Sequence, residues 1–331
     1  METTRIGVIG VGHLGSLHAR MLAGLPGVTL AGLYDIDAGR AQEVAAELGT
    51  KAAPDLDTLL KEADAVTVAT STSAHCAVAG RALELGKHVF IEKPIAESVA
   101  EADLLCRTAA ERGLLLQVGH IERFNPAILA LEHYTIAPMF VESHRLAQFN
   151  PRGTDVAVVL DLMIHDIDLI LSFVHSPVRG VEANGVAVVS DSVDIANARI
   201  QFENGCVANV TASRISQRKM RKMRLFQKDA YISIDFSEGL AEVFRLVGED
   251  EPGRKGTMML GELGSGKHKR KIVYELPEVK EVNALRYELE QFAGSVATGR
   301  PPVVTGEDGR RALEVAHAIM EKIGQQSFSM T

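Results

Sequence analysis

The feature that most constrains this sequence is a run of three glycines, Gly10, Gly12 and Gly15, between an apolar segment and a helical pattern. The apolar segment, residues 5–9, has the length and composition of a buried strand. An acidic residue, Asp35, follows 20 residues after the third glycine, at the end of the next apolar segment. A glycine run in this strand–turn–helix context, with a later acid, is typical of dinucleotide-binding domains.

Each glycine of the run has a physical task at a dinucleotide. The first permits a tight turn, the second lets the backbone approach a pyrophosphate, and the third lets the helix pack closely on the strand. The start of the helix offers N–H groups and a partial positive charge to phosphate oxygens. The cofactor-binding residues predicted in this segment are Gly10, Gly12, His13, Leu14 and Gly15.

Asp35 indicates which dinucleotide is bound. Its carboxylate would accept hydrogen bonds from the adenosine ribose and would repel a 2′-phosphate, which favours NAD. Arg40 lies nearby in sequence and keeps NADP as a less favoured alternative. A glycine-rich turn in an α/β domain that binds no cofactor is the other alternative.

The order of predicted elements indicates an α/β protein with two domains, divided at residues 1–122 and 123–331. The first domain alternates apolar strands with helices, which is typical of a parallel sheet covered on both faces. The second contains an apolar helix at residues 157–172 and then becomes rich in strands. Residues 195–202 alternate apolar and polar side chains, and Asn204-Gly205 is a hairpin signal.

Two kinds of helix signal complete the predicted organisation. Residues 98–101, Ser-Val-Ala-Glu, predict a capping box at the start of a helix. Residues 282–298 and 306–323 are helical patterns near the C-terminal end. We expect these two helices to cover the apolar face of the second sheet, because a sheet with one apolar face must bury it.

Composition excludes several functional classes. The 331 residues include 35 basic and 43 acidic side chains, a net charge of −8, which argues against nucleic-acid binding. There is no tryptophan, and no apolar stretch approaches the length of a membrane helix. The three cysteines are far apart and suggest neither a zinc site nor a disulfide framework. With no signal-peptide pattern at the start, we expect a cytoplasmic protein without a metal site.

Two further segments carry chemically useful side chains. Glu92-Lys93-Pro94 closes an apolar strand, at the sheet edge where ligands of open α/β sheets bind. Asp161 and His165 are four residues apart on the predicted apolar helix and therefore share a face, with Asp168 three residues further on. Asp166 and Asp168 are expected to make structural hydrogen bonds or to face solvent.

On these segments the chain resembles the family of glucose–fructose oxidoreductase, inositol dehydrogenase and rhizopine-catabolism proteins (Gfo/Idh/MocA). The glycine run, the Glu-Lys-Pro and the Asp-x-x-x-His-x-x-Asp helix occur in the family's order along nearly the whole chain. The resemblance implies an N-terminal Rossmann domain and a C-terminal α/β domain with a largely antiparallel, open sheet. It also implies dimers or tetramers that form through that sheet.

The resemblance assigns roles to three residues. Lys93 would bind the substrate hydroxyl beside the nicotinamide, His165 would be the catalytic histidine, and Asp161 would hold the substrate and the histidine in place. One departure is visible, since Val158-Val159 stands where family members often have two glycines. This departure concerns the shape of the substrate pocket and not the type of reaction.

The chemistry of the three side chains agrees with these roles. Oxidation of a secondary alcohol requires loss of the hydroxyl proton, and an imidazole with an ordinary pKa near 6.5 is suited to accept it. The Lys93 ammonium would stabilise the developing alkoxide, and Asp161 would stabilise the imidazolium. A buried structural histidine is the alternative for His165.

Less specific signals complete the predicted site. Thr70, Ser71 and His75 follow the third strand, where the family contacts the cofactor ribose, and Glu92 joins Lys93 as a cofactor-binding residue. A simple helix cap is the alternative there. Arg123 and Asn125 lie in the stretch between the domains and are predicted to bind substrate; the alternative is a capped helix start at Pro126.

The stretch at residues 121–126, together with residues 161–168, most resembles the UDP-N-acetylglucosamine 3-dehydrogenase branch of the family. That branch makes a 3-keto sugar nucleotide for lipid A biosynthesis. Arg145 and Arg152 are candidates to receive its diphosphate, and a surface salt bridge is the alternative for both. An inositol or free-sugar dehydrogenase is the alternative within the family. An NAD-binding sensor without catalysis is the alternative of another class. We expect a homodimer or homotetramer.

Overall fold

The computed structural model describes residues 3–150, 156–248, 251, 257–264 and 269–329. The chain forms two compact units, the first Met1–Phe124 with Asn283–Glu314 and the second Asn125–Val282 with Val315–Thr331. The first break in the chain falls close to the predicted boundary at residue 122. The predicted division is wrong for residues 283–314, because this later segment returns to the first unit.

The first unit contains a five-stranded parallel sheet in the order β2-β1-β3-β4-β5. The strands are β1 (Thr4–Ile9), β2 (Val28–Tyr34), β3 (Ala65–Val68), β4 (His88–Glu92) and β5 (Leu116–Gly119). Its helices are α1 (His13–Ala23), α2 (Ala38–Leu48), α3 (Leu56–Glu62), α4 (Thr72–Glu84), α5 (Val99–Glu111) and α8 (Ala284–Thr298). The predicted capping box at Ser98 and Glu101 is confirmed at the start of α5. This sheet has the parallel order that places all strand carboxyl ends at one edge.

The core of the first unit explains why α8 belongs there. Leu289, Phe292 and Ala293 form one apolar face of α8 and pack in a buried cluster with Ile6 and Phe90. The expectation that this helix covers the second sheet is therefore wrong. Apolar spacing identifies a face that must be buried, but it does not say which sheet will bury it.

The second unit contains a nine-stranded sheet in the order β13-β14-β12-β11-β10-β6-β9-β8-β7. Strands β6 and β9 are parallel and the other neighbouring pairs are antiparallel, as expected. The strands are β6 (Phe140–Leu146), β7 (Val178–Val186), β8 (Ile195–Phe202), β9 (Val207–Ser213), β10 (Met220–Gln227), β11 (Ala230–Asp235), β12 (Leu240–Gly248), β13 (Met258–Leu263) and β14 (Arg270–Glu275).

One face of this sheet is covered and the other is open. In β8, Ala196, Ala198 and Ile200 are buried while Asn197 and Arg199 are exposed, which confirms the predicted alternation. The covered face packs against α6 (Pro126–Leu129) and α7 (Ile164–Phe173). The remaining helix, α9 (Gly306–Ser329), begins in the first unit and ends in the second. Within the described ranges, no helix combines the length and apolar character that a membrane span requires.

Candidate functional site

The three glycines of the turn differ in the reason why a side chain is absent at each position. Gly10 has φ +81°, and a Cβ there would lie 2.8 Å from the Ala69 carbonyl oxygen. A Cβ on Gly15 would run into the carbonyl oxygen of Gly10. Gly12 has an ordinary φ of −59°, and a Cβ there would meet no protein atom within 4 Å. The protein itself needs glycine at 10 and 15, whereas the space above Gly12 fits the close approach of a ligand.

The start of α1 lies directly beyond this open space. No side chain caps the helix, and its first turn contains no acidic residue. His13 and Leu14 are exposed there, with Leu14 42% accessible. The N–H groups of an uncapped helix start suit a pyrophosphate, whose negative charge the helix dipole also favours.

Asp35 is tied to the glycine turn. One carboxylate oxygen accepts from the Val11 N–H at 2.7 Å, and the other accepts from the Asp37 N–H at 2.9 Å. Arg40 donates from Nε to the Val11 carbonyl oxygen at 3.1 Å and from Nη1 to Glu43 at 2.6 Å. The predicted residues Asp35 and Arg40 therefore meet at one turn.

Ile36 is a residue of this region that the sequence argument missed. It directly follows Asp35 and is 94% exposed, although it is β-branched and apolar. An exposed isoleucine beside the acid that is predicted to bind the ribose is an apolar surface of the kind that suits an aromatic base. The available signal was an apolar residue placed directly after the acid that follows β2, where the alternating strand pattern has already stopped.

The Thr70–His75 segment holds the next strand end in place. His75 is 1% exposed, with Nδ1 2.9 Å from the Pro94 carbonyl oxygen and Nε2 3.3 Å from that of Thr70. Burial lowers the pKa of His75, and these two carbonyl oxygens offset part of that effect. The buried His75 ring, with each nitrogen close to a backbone carbonyl oxygen, therefore links the turn after Lys93 to the segment that follows β3. Thr70 and Ser71 remain accessible.

Glu92 is held beneath Lys93 at the end of β4. Its Oε1 lies 2.9 Å from Nε2 of the fully buried His18, and its Oε2 accepts from the Lys93 N–H at 3.3 Å. Its neighbour in β5 is Gly119, where a Cβ would lie 2.9 Å from Glu92 Oε2. The carboxylate therefore fixes the backbone that carries the half-buried Lys93 side chain. Glu92, like Thr70, lies at the carboxyl edge of the sheet.

In the second unit, Asp161 and His165 lie on a helix that is not regular. Residues Val159–Met163 form a π-helical turn that leads into α7, and the N–H groups of Leu160 and Asp161 both point to the Ala157 carbonyl oxygen, at 3.0 and 3.1 Å. The prediction of one continuous α-helix is wrong at this turn. Both side chains are half-buried. Widened turns of this kind are frequent at functional sites.

Buried contacts anchor this helix on the sheet. Arg145 donates from Nε and Nη2 to the two oxygens of Asp166, at 2.7 and 3.1 Å, with both side chains buried. Asp166 is therefore structural, as expected, and Asp168 is also buried. Arg145 is committed to this ion pair, so the salt-bridge alternative holds for it, with the difference that the pair is buried and not at the surface. Arg152 lies outside the described residues.

Val158 precedes the π-helical turn, Val159 is its first residue, and both are fully buried. The Val158 N–H donates to the Val193 carbonyl oxygen at 2.9 Å, which ties the turn to the loop between β7 and β8. Asp194 stabilises this loop, because its Oδ2 accepts hydrogen bonds from the N–H groups of Val188, Val189 and Ser190. The bulky pair therefore fills core space where family members often carry glycine.

Arg123 and Asn125 fall on different units. Arg123 is half-buried in the first unit, 4.0 Å from Asp308. Asn125 is 8% exposed, accepts from the Ala127 N–H at 3.1 Å, and donates from Nδ2 to the Phe236 carbonyl oxygen at 3.3 Å. The helix-cap alternative is therefore correct for Asn125, whose side chain already bonds at both ends.

The chain is similar to known proteins both domain by domain and along its whole length. A family model described as "Oxidoreductase family, NAD-binding Rossmann fold" matches residues 4–120, and the GFO/IDH/MocA C-terminal domain matches residues 139–241. The chain is 41% identical over 325 residues to UDP-N-acetylglucosamine 3-dehydrogenase of Acidithiobacillus ferrooxidans, covering 98% of both chains. It is 27% identical over 340 residues to myo-inositol 2-dehydrogenase of Thermotoga maritima, covering 97% of both.

Solved structures agree with these relatives. A structure of the Acidithiobacillus ferrooxidans enzyme matches with a TM-score of 0.86 at 40% identity, covering 98% of each chain. Apo scyllo-inositol dehydrogenase of Lactobacillus casei matches with a TM-score of 0.77 at 21% identity, covering 98% of this chain and 97% of that one. The second likeness concerns the fold alone.

Proposed function

This chain belongs to the GFO/IDH/MocA family of NAD-binding oxidoreductases, and from that premise we propose that it oxidises UDP-N-acetylglucosamine to the 3-keto sugar nucleotide. The observation that carries the choice of substrate is the 41% identity to an enzyme of that name along 98% of both chains. The candidate catalytic residues Lys93, Asp161 and His165 all stand in this chain.

The cofactor part of the proposal uses the first unit. The glycine turn (Gly10, Gly12 and Gly15) and the start of α1 would hold the pyrophosphate. Asp35 and Arg40 would line the site of the adenosine ribose. Ile36 would contact the adenine. Thr70, Ser71, Glu92 and Lys93 lie at the carboxyl edge of the same sheet, where we place the nicotinamide end. Bound NAD supplies one chemical capacity, the acceptance of a hydride from the alcohol carbon.

The catalytic part of the proposal assigns the proton and the charge to three side chains. The Lys93 ammonium donates a hydrogen bond to the reacting hydroxyl and lowers the cost of its alkoxide. His165 accepts the hydroxyl proton at Nε2, since Nδ1 is buried. Asp161 stabilises the imidazolium that results. Arg123 completes the proposed substrate contacts, whereas Asn125 supports the fold beside them.

The open face of the second sheet supports a homodimer or homotetramer. Aromatic side chains follow one another across five neighbouring strands of that face, with ring centroids 5.7, 4.9, 5.5 and 5.0 Å apart, in the order Phe140, Phe226, Tyr231, Phe244 and Tyr274. An apolar stripe of this length on a half-buried face favours a second copy of the chain as its cover. Sedimentation of the purified chain tests this, and a monomer at micromolar concentration would refute it.

The setting of the reaction is also part of the proposal. Cys76, Cys106 and Cys206 are all free thiols, which is typical of the reducing cytoplasm. A 3-keto sugar nucleotide made there would serve lipid A biosynthesis, as the resemblance to that branch implies.

NADH formation with NAD and UDP-N-acetylglucosamine tests the activity, with myo-inositol and glucose in parallel and a carbonyl trap present. The trap is needed because oxidation of an alcohol by NAD is often unfavourable at neutral pH. We expect turnover with the sugar nucleotide alone. Turnover only with a free polyol would keep the mechanism and replace the substrate, and NAD binding without any turnover would favour the sensor.

Variants test the residue roles. We expect Lys93→Met and His165→Asn each to lower kcat by about 100-fold or more while NAD affinity changes little. Lys61→Met and His175→Asn are matched controls, because both side chains are exposed outside the candidate sites. Loss of NAD binding in His165→Asn, with the fold intact, would contradict the assignment of that residue to substrate chemistry.

A further inference from the structure

A concentrated basic segment begins strand β10 in the second unit. Residues 218–224 read Arg-Lys-Met-Arg-Lys-Met-Arg, in a chain whose net charge is −8. Arg218 and Lys219 precede the strand and are exposed. This local excess of positive charge contrasts with the net negative charge of the whole chain.

Strand alternation separates the cations of β10 into two groups. Lys222 and Arg224 lie on the open face, where they pair with Asp235 and Glu142, each at 3.0 Å. Arg221 lies on the opposite, covered face with Met223 and Leu225, which are both fully buried. Arg221 itself is half-buried, so part of this residue remains accessible to solvent.

The sheet register places Arg221 beside the helix that carries His165. Arg221 is the Cα partner of Arg145 in the antiparallel ladder of β6 and β10. Side chains directly opposite in such a ladder have Cβ atoms roughly 5 Å apart. Arg145 holds Asp166, the residue after His165, through two hydrogen bonds. Arg221 therefore lies one cross-strand step from the ion pair that anchors the candidate catalytic helix.

The electrostatic environment of Arg221 favours an incoming anion. Burial lowers the pKa of Arg221, and the charge of Asp235 offsets part of that effect. The carboxylate of Asp235 also accepts from Lys222 Nζ and from the N–H groups of Ser237 and Glu238. Its negative charge is shared among several donors, which leaves this end of the strand positive.

We propose that Arg221, with Arg218 and Lys219 at the start of β10, binds the diphosphate of the sugar-nucleotide substrate. A planar guanidinium matches two phosphate oxygens at once, and partial burial strengthens such charge-assisted bonds. This inference rests on the proposed function and adds to it, because it makes β10 the element that separates sugar nucleotides from free sugars. It also replaces Arg145, which is committed to Asp166.

Steady-state kinetics of Arg221→Gln with UDP-N-acetylglucosamine tests the proposal. We expect KM to rise roughly 10- to 100-fold, the loss of one or two hydrogen bonds to a charged group, while kcat changes by less than about threefold. Arg224→Gln is the matched control, because it removes the same charge three residues away on the other face, and its KM is expected within about twofold of the parent. Raising the salt concentration should increase KM for the parent and less so for Arg221→Gln.

Calorimetric binding of UDP separates this inference from the proposed function. If the parent chain does not oxidise UDP-N-acetylglucosamine but binds UDP and loses that binding in Arg221→Gln, the diphosphate site stands and the proposed reaction fails. If neither KM nor UDP affinity differs between Arg221→Gln and Arg224→Gln, the inference is overturned. If Arg221→Gln does not fold, the double variant Arg218→Gln/Lys219→Gln, which changes two exposed side chains, serves as the test. We expect its KM to rise about threefold or more. An unchanged KM in this double variant would overturn the inference.

Discussion

The two units position their candidate residues by different physical means. In the first unit, Gly12 and Thr70 follow the ends of β1 and β3, and Glu92 is the last residue of β4, so three neighbouring parallel strands bring them to the same edge. In the second unit, the residues around His165 depend on contacts between distant segments, such as Arg145 with Asp166 and Val158 with Val193. The positions of the first group therefore follow from short segments of sequence, whereas those of the second group depend on contacts between segments that are far apart in the chain.

Removing the buried ion pair of the second unit is the strongest test of this difference. We expect Asp166→Ala to lower the free energy of unfolding by about 3–5 kcal/mol, because the Arg145 guanidinium would remain buried without its counter-charge. Denaturant unfolding followed by circular dichroism measures this. Activity should fall with it, since α7 carries His165.

Two controls keep that result specific. The double variant Arg145→Met/Asp166→Leu removes both charges and should recover most of the stability. Arg20→Ala breaks an exposed pair with Glu47 in the first unit, at 2.8 Å, and should leave stability unchanged within error. Equal losses in Asp166→Ala and Arg20→Ala would contradict the contrast between the units.

The glycine turn provides the next test, within the first unit. Gly15→Ala would drive a Cβ into the Gly10 carbonyl oxygen, and because backbone atoms cannot move aside, we expect a loss of about 3 kcal/mol. In Gly12→Ala the added Cβ meets no protein atom, so we expect its free energy of unfolding to lie within about 1 kcal/mol of the parent value. We nevertheless expect this variant to bind NAD about tenfold more weakly or worse. Titration of NAD with each folded variant measures the second effect. A Gly12→Ala protein with unchanged NAD affinity would place the pyrophosphate elsewhere.

These differences explain what the sequence could and could not predict. The glycine turn, Asp35 and the Glu92–Lys93 strand end were predictable because a motif and the following strand suffice to define them. The destination of α8 was not, since its apolar face at Leu289 and Phe292 suits any sheet. The π-helical turn before Ile164 was also missed, because it arises where the chain is tied to a loop more than thirty residues later.

The partner of Arg145 and the burial of its ion pair could not be predicted for the same reason. Sequence spacing cannot show that an arginine on a strand faces an aspartate on the helix 21 residues later. The helix cap made by Asn125 was among the alternatives, but its second bond, to the Phe236 carbonyl oxygen 111 residues later, has no signal in the sequence. Residues that act through long-range partners are therefore where motif-based prediction is weakest.

The loop that ties down the π-helical turn offers the smallest and most selective test. Burial would raise the pKa of Asp194, but the N–H groups of Val189, Val188 and Ser190 and the Ser190 hydroxyl outweigh it and lower the pKa from 3.8 to about 2. Because the folded pKa is the lower one, this carboxylate stabilises the fold fully above about pH 4, and the contribution disappears as the pH falls through 2. The expected contribution at neutral pH is about 2 kcal/mol.

The free energy of unfolding, measured between pH 5 and pH 2 in the parent, Asp194→Asn and Asp191→Asn, isolates the contribution of this carboxylate. Asp191 lies exposed in the same loop, so its variant should follow the pH dependence of the parent. Asp194→Asn should be less stable at neutral pH and should lose part of the decline below pH 4, because its amide cannot be protonated there. Because the Val193 carbonyl oxygen of this loop accepts the Val158 N–H, Asp194→Asn should lower kcat more than it lowers the affinity for NAD. Equal loss of both would mean that the two units respond together, and the contrast between local and long-range positioning would not hold at this site.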